Sequence, residues 1–145
     1  MACRLKYSVF PDLKVVIEYF DDVITLSDII EHKKNIVIDK QYNLNYNSII
    51  DFRNAQLLLN EDDLNDYINF VITKSKINGK RKVALLTDTP NHVVVLTMFD
   101  MLSKSLPMKY NIFSTMEASL EWVGVSVCYI DLIDKCIENL KSDTA

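Results

Sequence analysis

Apolar and polar positions along this chain keep two rhythms, and the change from one to the other predicts the fold. Near the start, Leu5, Tyr7 and Val9 alternate with Arg4, Lys6 and Ser8. After Pro11-Asp12 a second run sets Leu13, Val15, Ile17 and Tyr19 against Lys14, Val16, Glu18 and Phe20. Alternation places one set on each face of a strand, so two such runs across a short turn predict an antiparallel hairpin. Later, residues 48–52, 82–87 and 109–113 form short apolar segments, each followed by an amphipathic helical pattern. That order predicts parallel strands joined by helical crossovers. Ile49-Ile50 and Val83-Ala84-Leu85-Leu86 are continuously apolar, as in strands covered on both faces. The hairpin's first strand keeps a polar face and belongs near a sheet edge.

Helix starts are marked by capping residues. Thr25 with Asp28, Asn60 with Asp63, and Ser114 with Glu117 place a side-chain oxygen where free helix amides need an acceptor. Thr89 is followed by Pro90, which has no amide to satisfy. In the second helix Leu64, Tyr67, Ile68, Val71 and Ile72 share one predicted buried face. A last amphipathic helix, residues 126–140, sets Ile130, Leu132, Ile133, Cys136, Ile137 and Leu140 against Asp131, Asp134 and Glu138. The helix after Pro90 is more apolar than one-sided packing requires. With Val94, Met98, Met101 and Leu102 as its buried stripe, Val93, Leu96 and Phe99 are left over as an apolar contact surface. Either the C-terminal helix folds over that excess, or the two helices form a homodimer interface or the wall of an apolar ligand site. The predicted class is α/β: a five-stranded, mostly parallel sheet with an N-terminal antiparallel hairpin, packed by four helices plus a C-terminal helix. The 145 residues form a single domain.

Charge narrows the functions. A net charge of −4 excludes a general nucleic-acid binder, whose affinity rests on clustered cations. The one basic cluster, Lys74, Lys76, Lys80, Arg81 and Lys82, straddles a predicted helix end, where cations complement the dipole. Of three cysteines, Cys128 and Cys136 stand eight positions apart, about 12 Å along a helix, too far for a disulfide. They read as small core residues in a reducing compartment. No signal-peptide pattern follows the N-terminus, and the longest apolar run, residues 93–99, is too short to span a bilayer. A cytoplasmic protein is expected.

Recognisable chemistry is sparse. Gly79 and Gly124 are the only glycines and neither opens a phosphate-binding loop. His32 and His92 are the only histidines, without zinc-ligand spacing. Glu61-Asp62-Asp63 lacks the glycine and distal glutamate of a calcium loop and suits a helix start. No metal or cofactor is expected. Ligands of open parallel sheets gather at the carboxyl ends of the strands, which here carry Asp51, Phe52 and Arg53; Thr87, Asp88, Thr89 and His92; then Ser114 and Thr115. These residues form a candidate ligand or partner rim, with caps and a plain Asp51–Arg53 ion pair as the structural alternative.

The order of elements, with Ile49-Ile50-Asp51-Phe52-Arg53-Asn54-Ala55 and Phe113-Ser114-Thr115-Met116-Glu117-Ala118-Ser119-Leu120-Glu121-Trp122-Val123, resembles the STAS domain superfamily, and within it the SpoIIAA-like family. The resemblance covers residues 5–123. It implies a non-catalytic fold used in protein–protein regulation, with relatives among lipid-transfer domains of the CRAL-TRIO type. Signalling members carry a phosphorylatable serine at the start of the helix after the third strand, yet no Ser or Thr occurs from Ile49 through Ile72. The serine switch is therefore not expected here. Three functions remain: a regulatory or scaffold domain binding a protein partner through the helices flanking the third strand; a carrier or sensor of an apolar ligand or membrane surface; and an enzyme built on Asp51, Arg53 and His92.

Overall fold

The computed structural model describes residues 5–74 and 76–142. Cys3 and Arg4 lie outside the described residues. Strands β1 (Leu5–Phe10) and β2 (Val15–Ile24) form the hairpin, joined by a 3-10 turn at Pro11–Leu13 that closes on Lys14 in the left-handed region (φ 54°). Helix α1 (Leu26–Val37), β3 (Asn47–Leu57), α2 (Glu61–Thr73), β4 (Lys82–Leu86), α3 (Pro90–Leu102), β5 (Lys109–Phe113) and α4 (Met116–Val123) follow. A 3-10 turn at Val127–Tyr129 leads into α5 (Ile130–Ser142). The five strands lie in sequence order, antiparallel only between β1 and β2.

That order decides where the helices go. Each crossover from β2 to β5 moves one strand in the same direction, and a right-handed connection then places every crossover helix on the same side. Accordingly α1, α2 and α3 pack on one face, over Phe20, Ile50, Phe52, Val83 and Leu85. Helices α4 and α5 close the other, over Val15, Ile17, Tyr19, Ile49, Ala84 and Leu86. Alternating residues of β3 and β4 thus feed two separate cores.

Several sequence expectations change at this level. The second and third strands run well past Phe20 and Phe52, because a register irregularity between Tyr19 and Asp21, with Asp22 at φ 61°, lets Asp21–Ile24 pair with Asn54–Leu57. In α2, Leu64, Ile68 and Val71 are buried, but Ile72 is exposed. The α3 stripe is rotated from the predicted one: Leu96 and Phe99 are buried core residues, not surplus, whereas Val94 and Met101 face outward. An apolar helix with little amphipathic bias leaves its phase to the surface it lands on. Of the predicted contact surface only Val93 stays exposed. Helix α5 does not cover α3, since it packs on the opposite face through Ile133 and Ile137, leaving Leu132 exposed. Cys128 is exposed, in the turn before α5, and is no core residue; Cys136 is partly buried. The cap of α4 is Thr115, whose Oγ1 accepts from the Ala118 amide at 3.2 Å, one position beyond Ser114. Thr89 caps α3 by its backbone only, its hydroxyl bonding Asp88 instead. Among the described residues, no helix is long and apolar enough to cross a membrane.

Candidate functional site

Sheet alternation divides the strand-end rim. Asp51 and Arg53 point to the face of α4 and α5, while Phe52 points to the face of α1 to α3. Asp51 is buried (1% exposed) and its carboxylate is bound three times by Arg53: the backbone amide and Nε reach Oδ1, and Nη2 reaches Oδ2, each at 3.0 Å. Hydrogen bonding to Asp51 raises the Arg53 pKa, with Asp134 and Asp88 adding to it. On the other face, His92 is buried edge-on to Phe52, and its Nδ1 shares a 2.7 Å hydrogen bond with Thr87 Oγ1. The same hydroxyl accepts from the Thr89 amide at 3.2 Å. Asp51 and His92 therefore share no pocket. Asp88, Ser114 and Thr115 are exposed, and Thr115 is occupied as a cap. The rim residues are brought to one end of the sheet, where Asp51 is spent on Arg53, Thr87 on His92 and Thr89, and Thr115 on the start of α4.

A different group of residues gathers between the sheet and α1, α2 and α3. There a cavity of about 70 Å³ is walled by apolar side chains, including Phe20, Phe52, Leu64, Leu96 and Phe99, and by Lys33, Tyr67, Arg81 and Tyr110. Beside it Glu18, on β2, is buried with His32 Nε2 at 2.9 Å and Lys33 Nζ at 2.7 Å from the same oxygen. Burial alone would raise the Glu18 carboxyl, but the Lys33 charge and the two hydrogen bonds overcome it and hold it at about 2. Burial pulls His32 and Lys33 below their ordinary values, with Glu18 opposing in both. The consistent state at neutral pH is an ionised Glu18–Lys33 pair with neutral imidazole donating to the carboxylate. His32 in turn packs edge-on to Phe20 and Tyr7.

Sequence reasoning missed this cluster, although one signal was available. Glu18 interrupts the run Val15-Val16-Ile17-Glu18-Tyr19-Phe20, and a carboxylate in a strand buried on both faces needs a partner. Arg81 belongs to the basic cluster expected to complement a helix end. It is buried, with Nη1 donating to the Ile77 carbonyl at 2.7 Å and to Leu44 at 3.3 Å. Lys82 leaves the basic cluster as well, donating to the Trp122 carbonyl at 3.0 Å above the indole ring.

No protein-family model and no curated protein matches the sequence. Among solved structures, the chain is similar to an uncharacterized protein of the DUF3478 family, with a SpoIIAA-like fold, from Shewanella loihica PV-4. The TM-score is 0.55 at 12% identity, covering 82% of this chain and 91% of that one. The hairpin, the sheet order and the placement of the helices, together with this likeness, identify the architecture as a SpoIIAA-like fold.

Proposed function

We propose that the chain is a non-catalytic regulatory or scaffold domain of the cytoplasm that binds a protein partner through the outer face of α3. The observation that carries this reading is the exposure there of Val93 (42%), Val94 (65%) and Met101 (69%), on a helix already anchored by Leu96 and Phe99. Large apolar side chains grouped on one helix mark contact surfaces, and methionine adapts to varied shapes. Asp51 is buried and held by Arg53 on one face of the sheet while His92 lies on the other, so these groups do not converge on a common pocket, which supports binding over catalysis. The absence of any Ser or Thr from Ile49 through Ile72 supports regulation without the serine phospho-switch.

A photo-crosslinking residue placed at position 94 or 101, in the cell of origin, tests the surface. A discrete adduct from both positions, absent from a control at the exposed Lys135 on α5, is expected. Its mass separates a second copy of this chain from another protein. If neither α3 position gives an adduct, or Lys135 gives the same one, the reading fails.

The cavity favours a second reading, in which the domain senses a small apolar ligand. Its walls come from three helices and the sheet, so an occupant would touch α3 from within while a partner touches it from outside.

A further inference from the structure

We propose that the cavity is a site for a short-chain monocarboxylate, its apolar tail among the helices and its carboxylate received by Arg81. This rests on the ligand-sensing reading and gives that ligand its chemistry.

Charge within the cluster does not balance from the chain alone. Glu18 is matched by Lys33, which leaves Arg81 as a second buried cation. Its bonds go to backbone carbonyls, and among the described residues no carboxylate lies within ion-pair distance of it. A guanidinium taken out of water without an anion is costly to hold in a core. Moreover, Arg81 Nε is buried and has no hydrogen-bond partner. Buried donors in folded proteins are nearly always satisfied, so this one points to a missing acceptor. Asn78 Oδ1 is also buried and unpartnered, but the two atoms do not bond each other.

The same wall supplies further donors. No hydrogen bond is made to the hydroxyl of Tyr67 or Tyr110 among the described residues, and both line the cavity with Arg81. Burial pushes both phenols up, so each remains a protonated donor at neutral pH. Asp63, the remaining acidic wall residue, is committed to the start of α2, where its Oδ2 accepts from the Asn60 amide at 3.0 Å. A carboxylate has acceptor sites for the guanidinium and for hydroxyl donors together, and it carries the one negative charge the cluster lacks. An alcohol or alkane would leave Arg81 unpaired. Room of about 70 Å³ corresponds to on the order of five water positions, so the tail is short, about four to six carbons.

Hexanoate and hexanamide, nearly matched in shape and differing in charge, separate the possibilities when titrated into the intact protein at neutral pH and followed by amide NMR. The expected result is a dissociation constant at least tenfold lower for hexanoate, with shifts in α1, α2 and α3 and none in α5. Arg81→Gln should remove that preference. Because this change also deletes bonds to the Leu44 and Ile77 carbonyls, the comparison of the two probes in the unmodified chain decides if the variant does not fold. A difference below tenfold, with both compounds bound among the same helices, overturns the carboxylate inference and leaves the ligand-sensing reading standing. If neither compound perturbs α1, α2 or α3, the ligand-sensing reading fails with it.

Discussion

Asp51 shows how a single buried atom group changes the expected cost of a substitution. As an exposed ion pair with Arg53 it would contribute no more than about 1 kcal/mol. The carboxylate is instead 1% exposed and relies on Arg53 for three hydrogen bonds, one from its backbone and two from the guanidinium. Arg53→Ala strands that charge, and the partial exposure of the guanidinium (31%) moderates the loss. A destabilisation of about 2–4 kcal/mol is expected in urea unfolding, with Arg53→Lys intermediate. A loss under 1 kcal/mol would show that the pair is solvated after all. The Glu18 cluster makes a second prediction, in pH. Glu18 is held at about 2 against an ordinary 4.5, so its contribution to stability is complete above 4.5 and declines as pH falls toward 2. His32 is held below 6.5, so the folded state binds fewer protons than the unfolded one there, and stability already declines as pH drops through 6.5. Melting temperatures should therefore fall in two stages on acidification. His32→Gln should remove the upper stage and keep the lower one, whereas an unchanged upper stage would assign it to another group.

At the scale of elements, legibility followed how strongly each local pattern constrains its own outcome. The reciprocal cap of α2 was readable because it is wholly local: Asn60 Oδ1 accepts from the Asp63 amide at 2.8 Å while Asp63 answers to the Asn60 amide. The hairpin and three crossovers were readable for the same reason, their periods being those of strand and helix. The phase of α3 was not. Val93, Val94, Val95, Leu96, Met98 and Phe99 nearly surround the helix, so sequence spacing ranks no face, and the sheet beneath selects Leu96 and Phe99. The extra length of β2 and β3 was hidden too, because it depends on the irregularity at Tyr19–Asp21, a property of two strands and not of either. The candidate rim was legible as a set of residues near one end of the sheet. Its division between two faces required knowing that Asp51 lies inside a strand that continues to Leu57. The buried ion cluster joins β2, α1 and the segment before β4, and only tertiary packing brings Glu18, Lys33 and Arg81 together.

For the whole molecule, an open five-stranded sheet leaves two edges exposed to other chains, and β5 shows how one is protected. Its outer amides are those that do not bond β4, and the amide of Ile112 is taken by the side chain of its neighbour, Asn111 Oδ1, at 2.9 Å. The strand is also short, five residues, with Lys109 and Asn111 exposed along it. Short strands, charge and a self-satisfied amide all discourage another strand from adding to the edge. This bears on the contact proposed for α3, which requires that the sheet edge not compete with it. Asn111→Val raises strand propensity and removes the acceptor, exposing an unpaired donor beside an apolar side chain. The variant is expected to keep its melting temperature within a few degrees yet to form dimers or larger species that rise with concentration in sedimentation. Adding Val94→Asp to the same chain should not reverse that assembly, since it arises at the edge and not at α3. If the single variant sediments as the parent chain does, Asn111 is not what guards this edge, and Lys109 and the shortness of the strand suffice.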